Sequence, residues 1–430
     1  MVVIYRQEII NDISLFTSQP KAAFYDELFL KLDLSFVPLF SNSKGRKGFD
    51  NHSMIAAFIV MKCEGFAFIT DLLDYLNNNL LIAHYCGFDI SKPLPSYWSF
   101  ERFIKNIDHD ILSHIMQSQV LKAFDLELLD TSFIGLDSTP ISANTSQNNP
   151  KSFKKNKFAK SNHPSCDKDC ALGVHTASNQ HNERKFEYFW GYKNHVLVDC
   201  ISGLPLFELT TTADVADSSV ALDILEQTNS FLPISECTFL ADKGYDVKSI
   251  YNAIRNVYNG ECFIPLNKRN TKSPKKLPAG NPICEAGLAM HKDGKFSDRG
   301  RTRQKYCCPF KHSKSGEYPC NHSNWNNGKK NRGCTKYVTI PDDYRLSIDR
   351  NSISFKTIYA LRTECERYNS RFKDTAQERM WVRNMNSVTN LNTIAHIALL
   401  TIAITAVTTN RKPSVRSRKG VCGKSCVGNI

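Results

Sequence analysis

The sequence predicts an α/β protein: a mixed five-stranded sheet with flanking helices, preceded by an α-helical module and interrupted by a Cys-rich basic insertion. Three observations predict it. Helical periodicity dominates residues 24–105, five short apolar runs of strand length lie between residues 132 and 267, and over residues 265–336 17 Lys and Arg face four acids. The segments that follow from this are 1–125 (helical module), 126–264 (first part of the sheet domain), 265–340 (insertion), 341–410 (second part with C-terminal helices) and 411–430 (basic tail).

In the helical module, apolar clusters such as MIAAFIVMKCEGFAF and FITDLLDYLNNNLLIAHYCGF recur at helical spacing. Pro93 and Pro95 break the run before SYWSFERFIK resumes it. The texture changes at Ser132, where SFIGLD reads as the first strand; YFWGYKNHVLVD, LPLFELTT, CTFLAD and ECFIPLN read as the other four. VADSSVALDILEQTNSFL before the fourth strand is helical, with Asp217 or Ser218 as N-cap, and so is KSIYNAIRNVY after it. Residues 148–170 are polar and Lys-rich and read as a solvated loop. Past the insertion, IYALRTECERYNSRFK reads as one helix. Residues 394–407 read as a buried helix, because this apolar stretch contains His396, Thr401 and Thr405 and falls short of the roughly 20 residues that cross a bilayer.

Composition narrows the partners. Hydrophobic residues at 41% and charged residues at 23% exclude wholesale disorder, collagen-like repeats and a disulfide-stapled miniprotein. A net charge of +13 favours an anionic partner, nucleic acid first and a membrane surface second. Arg6 and Glu8 interrupt the first ten residues, which predicts a cytosolic chain without a signal peptide. Its 15 cysteines are then reduced, and their clusters read as metal ligands before disulfides.

Three carboxylates stand out by position. Asp137 closes the apolar run FIGL, and Asp242 closes TFLA just before Lys243, Gly244 and Tyr245. A strand that ends on a carboxylate holds a hard oxygen ligand for a divalent cation on a rigid edge. Asp at a strand end is equally a turn or cap residue, and Asp199 after HVLV shows the same pattern, so position alone leaves both roles open. The third carboxylate, Glu366, shares one helix face with Tyr359, Arg362 and Lys373, while Ile358, Leu361, Cys365, Tyr368 and Phe372 form the opposite, core-directed stripe. A solvated face with an Arg362–Glu366 pair explains these charges too, but leaves their register with Tyr359 and Lys373 to chance.

Tyr-x2-Arg-x3-Glu-x6-Lys is the signature of a large group of DDE transposases from bacterial insertion sequences, and Tyr359, Arg362, Glu366 and Lys373 match every position and gap. GLDSTPI resembles that family's first catalytic strand, GYKNHVLVD its Gly-Tyr-Lys strand and LADKGYD its second catalytic motif; the likeness covers roughly residues 20–410 and is weakest in the insertion. The resemblance implies a ribonuclease H-like core in which Asp137, Asp242 and Glu366 hold two Mg²⁺ or Mn²⁺ ions, with Asp199 a bystander. It implies DNA as the partner, both the element's terminal repeats and the target, contacted through phosphates by Arg362 and Lys373 and by stacking or hydrogen bonding from Tyr359. Internal ion pairing that orients Glu366 is the alternative role of these residues, and Lys243 is ambiguous in the same way. A homodimer on paired DNA ends, a bacterial, nucleoid-associated location in the cytoplasm, and neither membrane nor small-molecule substrate complete the expectation.

The chemistry agrees with that likeness. Hydrolysing a phosphodiester and then attacking target DNA with the freed 3′-OH needs an activated oxygen nucleophile, a stabilised leaving oxygen and relief of phosphate charge, which cations held by carboxylates supply. Within the basic insertion, where related transposases often carry an inserted domain, Cys284, Cys307, Cys308, Cys320 and Cys334 with His291, His312 and His322 offer ligands for one structural Zn²⁺. The expected set is drawn from Cys284, Cys308, Cys320 and Cys334. Their spacing lacks short Cys-x2-Cys pairs, so reduced cysteines in a basic loop are the alternative; Cys166 with Cys170 and Cys422 with Cys426 are weaker pairs. The insertion's charge predicts salt-dependent, sequence-independent phosphate binding. Transposition by cleavage and strand transfer is thus the expected activity; a nuclease without strand transfer, or a silent transposase-derived DNA-binding protein, is the alternative.

Overall fold

The structure, a computed structural model, describes residues 17, 19–40, 48–178, 184–267, 281–284, 286–298, 301–310, 333–339, 344–411 and 414–417. The chain forms two compact units, residues 1–265 with 353–430, and residues 266–352.

Among the described residues of the first unit, six helices precede the sheet: α1 (Pro20–Lys31), α2 (Asn51–Glu64), α3 (Ile69–Asn78), α4 (Leu80–Tyr85), α5 (Tyr97–Asn106) and α6 (His109–Asp125). Local chemistry sets their ends. Asp50 caps α2 by accepting from Ser53 N at 2.8 Å, and Gly65 closes it with a φ of +75°. The strands and helices of the sheet domain then run β1 (Phe133–Ser142), β2 (Ala171–Ser178), β3 (Arg184–Asp199), β4 (Pro205–Thr212), α7 (Ala221–Phe231), β5 (Thr238–Ala241), α8 (Lys248–Asn256) and β6 (Glu261–Phe263).

All five expected strands are present, and β2 makes the sheet six-stranded rather than five-stranded. The long β3 pairs antiparallel with β1 along one edge and, along the other, with β2 through its first half and β4 through its second. β5 and β6 continue the sheet beyond β1 in parallel, giving the order β4-β3-β1-β5-β6. The mixture of directions matches the described connections: a tight turn at 200–204 joins the antiparallel β3 and β4, and α7 and α8 bridge to the parallel strands. Asp217 does not cap α7. It sits in a 3₁₀ turn before the helix, and its carboxylate instead accepts from Lys193 Nζ at 2.9 Å.

The expected single helix around Glu366 is broken into α10 (Ile353–Ala360) and α11 (Thr363–Phe372). Leu361 N bonds Ile358 O, Arg362 N bonds Tyr359 O and Cys365 N bonds Arg362 O, so three-residue bonds tighten the chain where four-residue ones would continue a helix. Two different partners explain the break. Phe355 of α10 packs on Phe263 of β6 with ring centroids 5.4 Å apart, whereas α11 lies on β1. Contact with β1 is close: a Cβ built on Gly135 would collide with Cys365 Sγ and stand 2.7 Å from Cys200 Sγ.

The last helix, α12 (Met385–Thr408), packs against α1, α2, α5, α6 and β4. It is apolar nearly all round and 89% of its most apolar window is buried, which accounts for its membrane-like composition. A polar seam fixes its register. Asn194 donates to Glu208 Oε2 at 2.7 Å, which turns its amide oxygen toward His396 Nε2 at 3.0 Å. His396 Nδ1 therefore accepts from Tyr368 hydroxyl at 2.5 Å, and its ring stacks on Phe372 at 4.5 Å.

The second unit has β7 (His291–Asp298), β8 (Arg301–Cys307), β9 (Thr335–Thr339) and a short helix, α9 (Tyr344–Ser347). The three strands form an antiparallel sheet beside a small core of Cys284, Met290, Tyr306 and Cys334. Its described part is thus ordered by packing rather than being a plain basic loop.

Two outcomes follow. Gly135→Ala lowers the melting temperature by an overpacking cost of about 1–3 kcal/mol, and adding Cys365→Ala recovers much of it; equal melting of Gly135→Ala and wild type removes the close-approach argument. Burial lowers the pKa of His396 to about 3. The unfolded imidazole protonates near 6.5 and the folded one does not, so stability falls as pH drops below 6.5, by on the order of 1 kcal/mol per pH unit. Burial raises Glu208, which acts in the opposite sense. The informative measurement is therefore the melting temperature against pH in wild type and His396→Gln, with a shallower acid slope expected in the variant.

Candidate active site

The sheet brings Asp137 and Asp242 together. Leu136 pairs with Ala241 across the parallel β1–β5 ladder, so the next residues, Asp137 and Asp242, lie side by side on one face. Asp242 follows the end of β5 and accepts from Gly244 N at 2.7 Å, capping the turn Lys243–Tyr245. Asp242 thus takes the cap role that its position left open, and the cap uses one of its two oxygens.

Glu366 arrives from α11, which lies on that face. Arg362, at the turn before the helix, links two of the acids: its Nη1 donates to Glu366 Oε1 at 2.7 Å and its Nη2 to Asp137 Oδ1 at 3.2 Å. Asn369 donates to the other oxygen of Asp137 at 3.0 Å. Burial above all, with smaller contributions from the charges of Asp242 and Glu366, raises the Asp137 carboxyl to about 6 against the pull of Arg362 and the Ser138 N–H. Burial works against the charge on Arg362, yet Asp137, Tyr359, Glu366 and Asp242 together hold its pKa above the ordinary value. Three carboxylates thus share one field with a single guanidinium set among them.

The remaining expected residues divide. Tyr359 stands across the break from Glu366 and stacks on Phe355 at 5.8 Å, but it still feels the site: burial raises its pKa, Arg362 lowers it, and Asp242, Glu366 and Asp137 raise it. Lys373, the C-cap of α11, lies 4.0 Å from Glu378, and Lys243 is exposed on the turn after Asp242. Asp199 is fully buried and accepts from the N–H groups of Asp130, Ile201 and Ser202, which makes it a turn anchor. Among the described residues no three His, Cys, Asp or Glu side chains are grouped as they stand to hold a metal ion. Between Asp137 and Glu366 that place is taken by Arg362.

The same holds in the second unit. Cys284, Cys308 and Cys334 are buried there; Cys284 Sγ accepts from Leu288 N at 3.3 Å, and Cys308 N donates to Cys334 O at 2.9 Å. Cys320, with His312 and His322, lies outside the described residues.

Two neighbours of the site were not singled out from the sequence. Asn369 is three residues beyond Glu366, on the same helix face, a spacing that signals proximity to Glu366 but not to Asp137. Tyr245 is buried beside Asp137 and Asp242 with a hydroxyl that finds no hydrogen-bond partner among the described residues, and burial followed by the charges of Asp217, Asp137 and Asp242 raises its pKa. LADKGYD contains this tyrosine, but nothing in the motif foretells its burial.

Comparison with known proteins identifies the family. The family model described as the transposase DDE domain matches residues 129–401. Among solved structures, the cryo-EM structure of the piggyBac transposase synaptic complex with hairpin DNA aligns with a TM-score of 0.40 and 12% identity, covering 95% of this chain and 77% of that one. No curated protein matches. The matched span includes Asp137, Asp242 and Glu366 and extends over well more than half of the sequence: the chain belongs to the transposase DDE domain family.

Proposed function

We propose that the chain is the transposase of a bacterial insertion sequence, of the group whose signature Tyr359, Arg362, Glu366 and Lys373 reproduce. It hydrolyses DNA phosphodiesters at the element's ends and joins the freed 3′-OH to target DNA. One observation carries this reading: Asp137, Asp242 and Glu366, remote in sequence, meet on one face of the sheet around Arg362. The strand order β4-β3-β1-β5-β6, with its antiparallel and parallel halves, supports a ribonuclease H-like core.

The donor set fits Mg²⁺ or Mn²⁺. All three groups are hard carboxylates, and a cation would stabilise the charge of Asp137, which burial first and the charges of Asp242 and Glu366 second oppose. Asp137, Asp242 and Glu366 would hold the ions, two per site, with Arg362 giving up its place between Asp137 and Glu366. When bound, such ions neutralise phosphate charge and make the attacking oxygen a better nucleophile. Asn369 fixes the Asp137 carboxylate, and the Gly244 N–H fixes Asp242. Arg362, once released, is placed to contact the phosphate beside the acids; Lys373 and Lys243 extend that positive charge, and Tyr359 offers a ring and a hydroxyl at the rim. Pairing two DNA ends requires two copies of the chain, so a homodimer on DNA in the bacterial cytoplasm belongs to the same reading. The second unit adds basic charge for phosphate binding and, with Cys284, Cys308, Cys320 and Cys334 as its ligand set, a structural Zn²⁺.

Glu366→Gln is expected to reduce cleavage of candidate element ends in Mg²⁺ by more than about 100-fold, since a ligating carboxylate matters more than the 10–100-fold of an outer-shell partner, while DNA binding by gel shift survives. Parallel loss of both activities would assign Glu366 a structural task instead. For the second unit, elemental analysis of the purified protein should show zinc that disappears in Cys284→Ser with Cys334→Ser. Zinc-free wild type rules the metal out.

A further inference from the structure

The segment between β1 and β2, which reads as a solvated loop, is held in a defined shape. Asn148 donates to Trp190 O at 2.7 Å and accepts from Trp190 N at 2.9 Å, and the buried Trp190 indole donates to Lys157 O at 2.8 Å. Asn162 closes the loop on itself by donating to Asn156 O at 2.8 Å, and Asn156 takes the turn with a φ of +54°, which asparagine tolerates. Lys157 is also inward, donating to Asn149 O at 3.0 Å.

What remains outside is unusual. Phe153 is 100% exposed. Around it Lys151, Lys154, Lys155 and Lys160 are exposed as well, and residues 151–160 contain no acid. A solvated loop needs lysines but gains nothing from a phenylalanine that touches no other side chain, whereas an aromatic ring set among cations is how unpaired nucleic acid is gripped: the ring stacks on a base and the cations meet flanking phosphates. The position suits this. Asp137 and Ser142 are five residues apart on β1, roughly 16 Å at the rise of a strand. At roughly 3.4 Å per nucleotide step, that is about five nucleotides from the acids to the root of the loop. Arg379 stands at the same end of β1, where Ser142 N bonds Glu378 O and Met380 N bonds Ser142 O, and its guanidinium lies 4.5 Å from the half-exposed Trp381 ring.

We propose that residues 151–160 form a binding site for unpaired DNA, in which Phe153 stacks on a base and Lys151, Lys154, Lys155 and Lys160 hold the neighbouring phosphates. This rests on the reading that the acids of the site act on DNA, and it adds that the loop selects the single-stranded portion of that DNA a few nucleotides from the cut.

The test uses the full chain in EDTA, so that binding is read without cleavage, with a short fluorescein-labelled oligothymidine and a blunt duplex as probes. Phe153→Ala is expected to weaken oligothymidine binding by about 5- to 100-fold and to leave the blunt duplex unchanged, while Phe153→Trp retains affinity and shows quenched fluorescence on binding. Lys154→Gln with Lys155→Gln weakens binding and flattens its dependence on salt. Equal affinity of Phe153→Ala and wild type for oligothymidine, or an equal loss on both probes, overturns the proposal. The catalytic reading fails separately: a chain that never cuts DNA in Mg²⁺ but loses oligothymidine binding in Phe153→Ala keeps the loop assignment and loses the transposase one.

Discussion

Repulsion among three carboxylates is the constraint around which the first unit is organised. Asp242 and Glu366 stand near enough to Asp137 that their charges add to burial in opposing its ionisation, and a chain that gathers the three must compensate the charge it concentrates. Arg362 does so by bonding two of the three at once. Its position depends on the break between α10 and α11, which turns the residue inward, and on Gly135, whose missing side chain lets α11 lie against β1. Removing the arginine without supplying another cation would leave a partly buried acid pair uncompensated. The resting site is therefore one in which a protein cation stands where the proposed metal ions would act.

Much of this was legible in the sequence because strands and acids leave local signals. The five apolar runs became strands, and two of them deliver aspartates to the same face: Asp242 just past the end of β5, and Asp137 in mid-strand rather than at a strand end, because β1 runs on to Ser142 in its ladder with β3. β2 was hidden because ALGVHTAS follows a Lys-rich stretch and leaves Val174 and His175 exposed, so it carries no core pattern. The break at residues 361–362 was hidden for a different reason: the apolar stripe of Cys365, Tyr368 and Phe372 is buried as its spacing predicts, and periodicity is blind to a tightened turn imposed by two separate packing partners. Neither the Arg362–Asp137 bond nor the Asn369–Asp137 bond could be read, since each spans more than 200 residues. In the second unit, the basic composition drew attention away from strands whose exposed positions mix Lys292 and Lys295 with Ser297, Thr302, Thr335, Tyr337 and Thr339 and so show no clean alternation of apolar and polar residues.

Polar residues inside the apolar core have a specifying role. His396, Asn194, Glu208, Thr210, Asn392 and Thr393 are all buried and bonded across α12, β3 and β4. An apolar helix such as α12 could slide or rotate against its neighbours with little change in buried area; a chain of directional bonds admits one arrangement. The seam also reaches the site, because Tyr368 and Phe372, which clasp His396, belong to the same helix as Glu366.

The way α12 is enclosed has a consequence for how the protein is made. Helices α1, α2, α5 and α6 close around a helix that begins about 260 residues after α6 ends, so the ribosome must deliver that whole span before the earlier helices have their partner. A premature stop upstream of that helix leaves both the N-terminal helices and the third acid's support unfinished. Truncated translation products would then lack the apolar helix that these earlier helices enclose, leaving the surfaces they bury against it exposed.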